Sequence, residues 1–507
     1  MTDVAEQPAR SETGLAPGWQ WATLAALGEV TGGLTKNAKR GSFELKLPYL
    51  RVANVYANSL KLDDVEEVGV LPTEIARTLL KKNDLLVVEG NGSPDHIGRV
   101  ALWDGSIETC LHQNHLIKVR LAGTAPKFVL YWLLSKEGRA YIRSVSSSSS
   151  GLYTLSIGKV EGLPVPVAPI QEQERIVARI EELLSKLDSG TAALHKTKAL
   201  LKLYRQSVLH AGVSGQLTQV WRKQQGEQLE SADVQLERVL QQRREAWEAS
   251  EKKGKYKEPK GPSETNLPSV PQGWVWTTFE QASYRVTVGF VGQMKHEYRD
   301  EGVPFLRSQN VRPNRYEPEG LRYISNQFHD RISKSEVRSG DLVVVRSGSV
   351  GTACAIPEDF GEGNCSDLVI VQRPYFNAKF AAYYMNSMAR ANVSARKVGI
   401  GLEHFNTSAL ASMALPFPTV AEQAQIVAEV ERRLSVLDKL EVTVNSELKR
   451  AKQTRQGILR KAFRGELIPQ DPNDEPTSVL LERIKAEKIR LGVENLRRGR
   501  KPRKENK

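Results

Sequence analysis

Residues 171–217 read QEQERIVARIEELLSKLDSGTAALHKTKALLKLYRQSVLHAGVSGQL, and residues 421–467 read AEQAQIVAEVERRLSVLDKLEVTVNSELKRAKQTRQGILRKAFRGEL. They align without a gap at an offset of 250, with 16 of 47 positions identical, so one unit occurs twice in the chain. Within the first copy Ile180, Leu187, Leu194, Leu201 and Val208 fall every seven residues; Val430, Leu437, Val444, Ala451 and Ile458 hold the same register in the second. Ile176, Leu183, Leu184 and Tyr204, with Ile426, Leu440 and Leu448, begin a second apolar row that Thr197 and Glu447 interrupt. Pro166, Pro169 and Pro418 punctuate the starts of two helices, and Gly215 and Gly465 their ends. A helix of about 40 residues is roughly 60 Å long, too long to be covered by one neighbouring domain. The two helices are therefore expected to pair, antiparallel and with a pseudo-twofold axis. The alternative is two amphipathic helices, each packed on its own core.

The repeat extends outward from these helices. Gly18-Trp19-Gln20-Trp21 answers Gly273-Trp274-Val275-Trp276, and Pro48-Tyr49-Leu50-Arg51 answers Pro304-Phe305-Leu306-Arg307, each followed by Asn-Val. Runs such as DLLVV, HLIKVR and DLVVV read as strands between Gly, Ser and Asn turns. The expected fold is α+β, a tandem repeat of two mixed domains separated by two long antiparallel coiled-coil helices. Its expected boundaries are a first domain over 1–168, a central spacer helix over 169–218 and a charged tail with linker over 219–268. A second domain over 269–419, a second spacer helix over 420–468 and a charged tail with basic terminus over 469–507 complete the chain.

Composition narrows the function. The 507 residues carry 72 Lys+Arg against 59 Asp+Glu, a net charge of +13 that favours a polyanionic partner. No apolar run of membrane-spanning length and no basic-then-apolar leader is evident, which points to the cytoplasm. Cys110, Cys354 and Cys365 suggest no disulfide framework. Gly90-Asn91-Gly92 and Gly399-Ile400-Gly401 lack the rest of a dinucleotide fingerprint, and no phosphate-cradling NTPase loop occurs. Cys110, His112 and His115 make half a metal site that no second cluster completes, so neither a metal nor a catalytic centre is expected. Trp19, Trp21, Trp274 and Trp276 alternate as in a half-buried strand, and Ser146–Ser150 reads as a flexible turn.

What remains is three loop clusters suited to phosphates and base edges. The first is Lys36, Asn37, Lys39 and Arg40, answered by Gln293, Lys295 and Arg299. The second is Arg51 and Asn54, answered by Arg307, Gln309 and Asn310. The third is Glu89, Asn91, Ser93 and Arg99 in the first copy, with Arg346, Ser347 and Ser349 in the second, both after the Asp-Leu strand. Each residue has a plain alternative as a turn former.

The Gly-Trp-x-Trp openings, Pro-x-Leu-Arg, Leu-Pro-x-Pro with Glu-Gln-x-x-Ile-Val, and Ala462-Phe463-Arg464-Gly465-Glu466-Leu467 together resemble the specificity subunit of a Type I restriction-modification system. That resemblance implies two target-recognition domains, each reading one half of an asymmetric bipartite site on double-stranded DNA. It implies a non-catalytic chain with no cofactor of its own, partnered by two methyltransferase subunits and two restriction/translocase subunits. S-adenosylmethionine, ATP and Mg would belong to those partners. A methylation-only complex is the runner-up, and a coiled-coil scaffold protein is the reading from another class. The resemblance also implies that the long helices dock the methyltransferase subunits, and since His210–Ser214 differs from Arg460–Arg464 the two docking surfaces are expected to differ in affinity.

Overall fold

The computed structural model describes residues 14–149, 151–226, 230–249, 255–263, 267–389 and 406–499. The basic terminus past 499 and Gly399-Ile400-Gly401 lie outside the described residues. The chain divides into two compact units: one comprises residues up to 194 with those from 446 onward, the other residues 195–445. Each long helix, Ile170–Val213 and Val420–Phe463, therefore contributes one end to each unit.

In the first unit, strands Gly28–Gly32, Leu116–Leu121, Leu85–Val88 and Val100–Leu102 form an antiparallel sheet in that order. Leu85–Val88 is buried on both faces. Leu85 and Val87 face the main core while Leu86 and Val88 face a second one, which is why the segment reads as unbroken aliphatics. Leu342–Val345 does the same in the second unit, where strands Ser283–Val288, Leu368–Pro374, Leu342–Val345 and Ala353–Ala355 repeat the order. A second sheet, of three strands in the first unit and five in the second, flanks each, with Lys46–Leu50 parallel to Leu111–His112, and Val303–Leu306 parallel to Glu362–Cys365. Gln20–Thr23 pairs with Pro164–Val167, and Val275–Thr278 with Ala414–Phe417, so each domain's first strand is tied to the strand that launches its long helix.

The expected fold class is borne out, and the helix pairing is visible inside each unit. In the second unit Lys198 bonds Asn445 at 2.8 Å, Arg205 meets Asp438 at 2.6 Å, and Gly212 lies against Val430. Numbers rise on one helix as they fall on the other, so the run is antiparallel. In the first unit Asp188 pairs with Arg455, while Ile176, Ile180 and Leu184 share a core with Leu459, Ala462 and Phe463. None of the ten seam residues is exposed. The second row is buried only in part: Ile176, Leu184 and Ile426 are core residues, whereas Tyr204 is 50% and Leu440 48% exposed. Both helices stop where expected, with Gly215 at φ +72° and Gly465 at φ +70°, a conformation open to glycine without strain.

Each domain core also recruits residues distant in sequence. Leu480 and Ile484 of helix Thr477–Gly499 are buried in the first domain, and Ala232 of helix Ala232–Glu248 in the second. Trp19 and Trp274 are core residues as expected, whereas Trp21 is 40% exposed and packs edge-on to Trp132. The serine run also departs from expectation, since Ser147–Ser149 is a strand paired with Leu152–Thr154.

A buried polar cap closes helix Pro72–Thr78. Lys118 Nζ donates to Arg77 O at 2.8 Å, Arg120 Nη2 to Leu79 O at 3.0 Å, and His112 Nδ1 to Thr78 O at 2.8 Å. The carbonyls can only accept, and cationic donors suit a helix C-terminus. Burial nonetheless holds the Lys118 ammonium down to about 8 and the His112 imidazole down to about 4.

Candidate nucleic-acid interface

The two domains build the same platform after their Pro-x-Leu-Arg strands. Arg51 N donates to Asn54 Oδ1 at 2.8 Å, and Asn54 Nδ2 donates to the carbonyls of Lys61 and Asp64, both at 2.9 Å. In the second domain Arg307 N donates to Asn310 Oδ1 at 3.0 Å, and Asn310 Nδ2 to Glu317 O at 2.9 Å. Asn54 and Asn310 are buried, so their amides brace the loop. Between the braced carbonyls rises a short hairpin, Val55–Tyr56 with Ser59–Leu60, and Val311–Arg312 with Arg315–Tyr316. Its turn places Asn58 at φ 58° and Asn314 at φ 63°, where Asn is among the few side chains tolerated. The turn docks through Asn58 N to Val100 O at 2.9 Å and Asn314 N to Ala353 O at 3.0 Å.

The other candidates gather around this platform. In the first domain Glu66 collects Lys36 at 2.9 Å and Arg51 at 2.6 Å, joining the first two clusters. The Lys36 hydrogen bond is the main cause that lowers the Glu66 carboxyl, and the same bond raises Lys36. Arg51 also reaches Asp64 at 2.9 Å. Asn37 and Lys39 are exposed. Arg40 is not: it is buried, donates to Thr35 O and Gly69 O, and forks onto Glu74 at 3.0 and 2.8 Å. That fork pulls the Glu74 carboxyl down to about 2 and makes Arg40 a structural side chain. Arg99 connects the third cluster to the hairpin, donating to Val52 O at 3.4 Å with its guanidinium 5.4 Å from the Tyr56 ring centroid. Asn91 and Ser93 form a turn in which Asn91 Oδ1 accepts from Ser93 N at 2.9 Å; Glu89 is engaged by His115.

In the second domain Lys295 and Arg299 are exposed, and Arg299 donates to the carbonyls of His296 and Tyr298. Arg307 and Gln309 both donate to Gly320 O, at 2.8 and 3.1 Å. Arg307 and Arg322 flank the Tyr298 ring at 6.0 and 5.8 Å. Asp367 gathers Arg346 at 3.8 Å and accepts from Ser347, while Ser349 is exposed. Among the described residues the buried Nε atoms of Arg51, Arg99, Arg307 and Arg346 find no acceptor, so these four candidate guanidiniums are not saturated there.

Tyr56, Tyr298, Arg312, Arg315 and Arg322 were not singled out in the sequence. The signal for the hairpin was nevertheless there, as Asn-Val-x-x-Asn at 54–58 and again at 310–314. The Cys110, His112, His115 half-site is not assembled: Cys110 and His112 are buried, with burial pushing the thiol up to about 12, and His115 pairs with Glu89. Among the described residues no group of three His, Cys, Asp or Glu side chains is placed to hold a metal ion, and no helix is long and apolar enough to cross a membrane.

A family model described as "Type I restriction modification DNA specificity domain" matches residues 17–202 and 293–450. Among curated proteins, the chain is 23% identical over 508 residues to the Type I restriction enzyme EcoKI specificity subunit of Escherichia coli K12, covering 94% of this chain and 97% of that one. It is 26% identical over 366 residues to the EcoBI specificity subunit of Escherichia coli, covering 69% of this chain and 70% of that one. A solved chain from a study of "complex assembly" and "conformational transition of the type I R-M system" superposes with a TM-score of 0.64 at 16% identity, covering 89% of this chain and 99% of that one. That last likeness is one of fold.

Proposed function

The chain belongs to the Type I restriction-modification DNA specificity family, and from that premise we propose that each of its two domains reads one half of an asymmetric, gapped site on double-stranded DNA. Reading that site would direct adenine methylation by two methyltransferase subunits and ATP-dependent cleavage by two restriction/translocase subunits. S-adenosylmethionine, ATP and Mg would be held by those partners.

One observation carries this reading. The two domains repeat the same backbone platform around Asn54 and Asn310, yet present different side chains at its outward positions. A shared scaffold with divergent donors is what reading two unlike half-sites demands. Exposed Lys36, Asn37, Lys39, Lys295 and Arg299 are assigned to phosphates. Arg51, Asn91, Ser93, Arg99, Arg307, Gln309, Arg346, Ser347 and Ser349 are assigned to the groove. Arg40, Asn54 and Asn310 position the others.

The test is single-molecule sequencing of methylated adenines in cells expressing the chain with its methyltransferase, against cells lacking it. A two-part gapped motif that appears only with the chain is the expected result. Exchanging residues 19–167 for the corresponding segment of a relative should then change one half of that motif. A change in both halves would overturn the modular reading.

A further inference from the structure

The hairpin projects from the platform, and one of its outward residues, Arg312, has no side-chain partner among the described residues to explain it. Its base is built alike in the two domains: the Asn brace, the Asn turn, and the hydrogen bond from that turn to the neighbouring strand. In the second domain the brace is stronger still, since Asn386 Nδ2 donates to Asn314 Oδ1 at 2.6 Å and to Ala353 O at 2.8 Å. A two-stranded ribbon held this firmly is a preorganised projection, and a ribbon of two strands fits the major groove of duplex DNA.

The outward residues differ between the copies. The cross-strand pair is Tyr56 opposite Ser59 in the first domain and Arg312 opposite Arg315 in the second. Two like charges directly opposed across strands destabilise a free hairpin. Arg315 is relieved by Glu317 at 2.8 Å, whereas Arg312 is exposed and makes no side-chain hydrogen bond or ion pair with any described residue. The Arg312 fork thus faces outward, its donors unclaimed by the described residues. Tyr56 is 45% exposed and is held from beneath by Arg99. It offers a ring and a hydroxyl instead of a fork.

Resting on the reading that each domain binds duplex DNA, we infer that these hairpins are the specificity-determining fingers of the two domains. Arg312 recognises a guanine through the acceptors on its major-groove edge, and Tyr56 with Ser59 recognises an A·T pair through the thymine methyl and a neighbouring acceptor. A free Arg fork matches the paired acceptors of guanine, which no other base presents. An aromatic face and hydroxyls suit the methyl-bearing edge.

The experiment is selection from randomised duplexes by the full chain in complex with its methyltransferase subunits, comparing wild type with Arg312→Gln and Tyr56→Ala. For Arg312→Gln the expected result is loss of preference for guanine at one base pair of one half-site, on the order of tenfold or more, with the other half untouched. For Tyr56→Ala the equivalent loss falls at an A·T pair in the other half. Unchanged base preferences in both variants would overturn the finger assignment. So would uniform weakening on every sequence with a shallower salt dependence, the signature of a phosphate contact. A wild-type complex that selects no two-part site overturns the parent reading, and the fingers with it. Thermal melting of each variant identifies any loss caused by unfolding; Arg312→Lys, which keeps the charge but not the fork, then reads the same base pair.

Discussion

The indole of Trp274 donates to Glu422 Oε2 across 2.8 Å, joining the opening motif of a domain to the first turn of the helix that leaves it. Trp19 and Glu172 repeat the bond at 3.1 Å in the other domain. The neighbourhoods differ. Glu422 also receives Thr218 Oγ1 at 2.7 Å and Arg222 at 2.6 Å, whereas among the described residues Glu172 adds Gln470 at 3.5 Å.

That difference predicts opposite responses to one substitution. Glu422→Gln leaves Arg222 without its partner in a largely buried site and should cost about 2–4 kcal/mol. Burial raises the Glu172 carboxyl, so the charged form opposes folding, and the penalty grows as pH climbs above the usual carboxylate value. Glu172→Gln should be neutral or stabilising at pH 7. Denaturant unfolding of both variants reads the contrast, and equal losses would refute it.

His112 should make the first domain acid-labile. Its folded value of about 4 lies below the ordinary 6.5, so the stability it carries is present above pH 6.5 and lost as pH falls toward 4. The loss is on the order of 3 kcal/mol. Lys118 titrates in the alkaline range and adds nothing to this slope. Cys365 pairs with Leu306 as His112 pairs with Leu50, so His112→Cys imports the other domain's residue. Melting curves between pH 7 and 4 should flatten in that variant.

The helix seam and its flanking ion pairs should weigh differently. Leu437 is 3% exposed, and Leu437→Ala should cost about 2–5 kcal/mol. Asp438→Ala, one residue on, breaks the partly exposed pair with Arg205 and should cost no more than about 1 kcal/mol. Chemical denaturation of the two neighbours separates packing from surface charge.

Ending the chain at residue 468 should weaken the first domain. It removes Leu480 and Ile484 from that core, on the order of 3–6 kcal/mol for the two side chains. Hydrogen exchange should show protection lost between residues 14 and 168 and retained between 270 and 389. The reverse pattern would contradict the packing.

Phosphate contacts have their own signature. Lys39→Ala and Lys295→Ala should weaken DNA binding alike on all sequences, each lowering the salt slope by about one. Affinity measured at several salt concentrations checks this.

Much of this molecule was determined by the sequence alone, where the signal is periodic or repeated. The heptads from Ile180 to Val208 and from Val430 to Ile458 specify two long helices, and the offset of 250 specifies two copies of one domain. Such patterns are legible because secondary structure repeats over a few residues and duplication preserves order. Tertiary structure alone decided which polar residues face inward. Asn54, Asn310 and Arg40 looked like Asn37 and Lys39 in sequence, yet their donors meet carbonyls and a carboxylate that long-range closure brings together. Tertiary structure also sent Leu480 and Ile484 back to the first domain, hundreds of residues away. A buried donor must find an acceptor and a buried side chain a core, but a linear pattern does not say where along the chain either will come from.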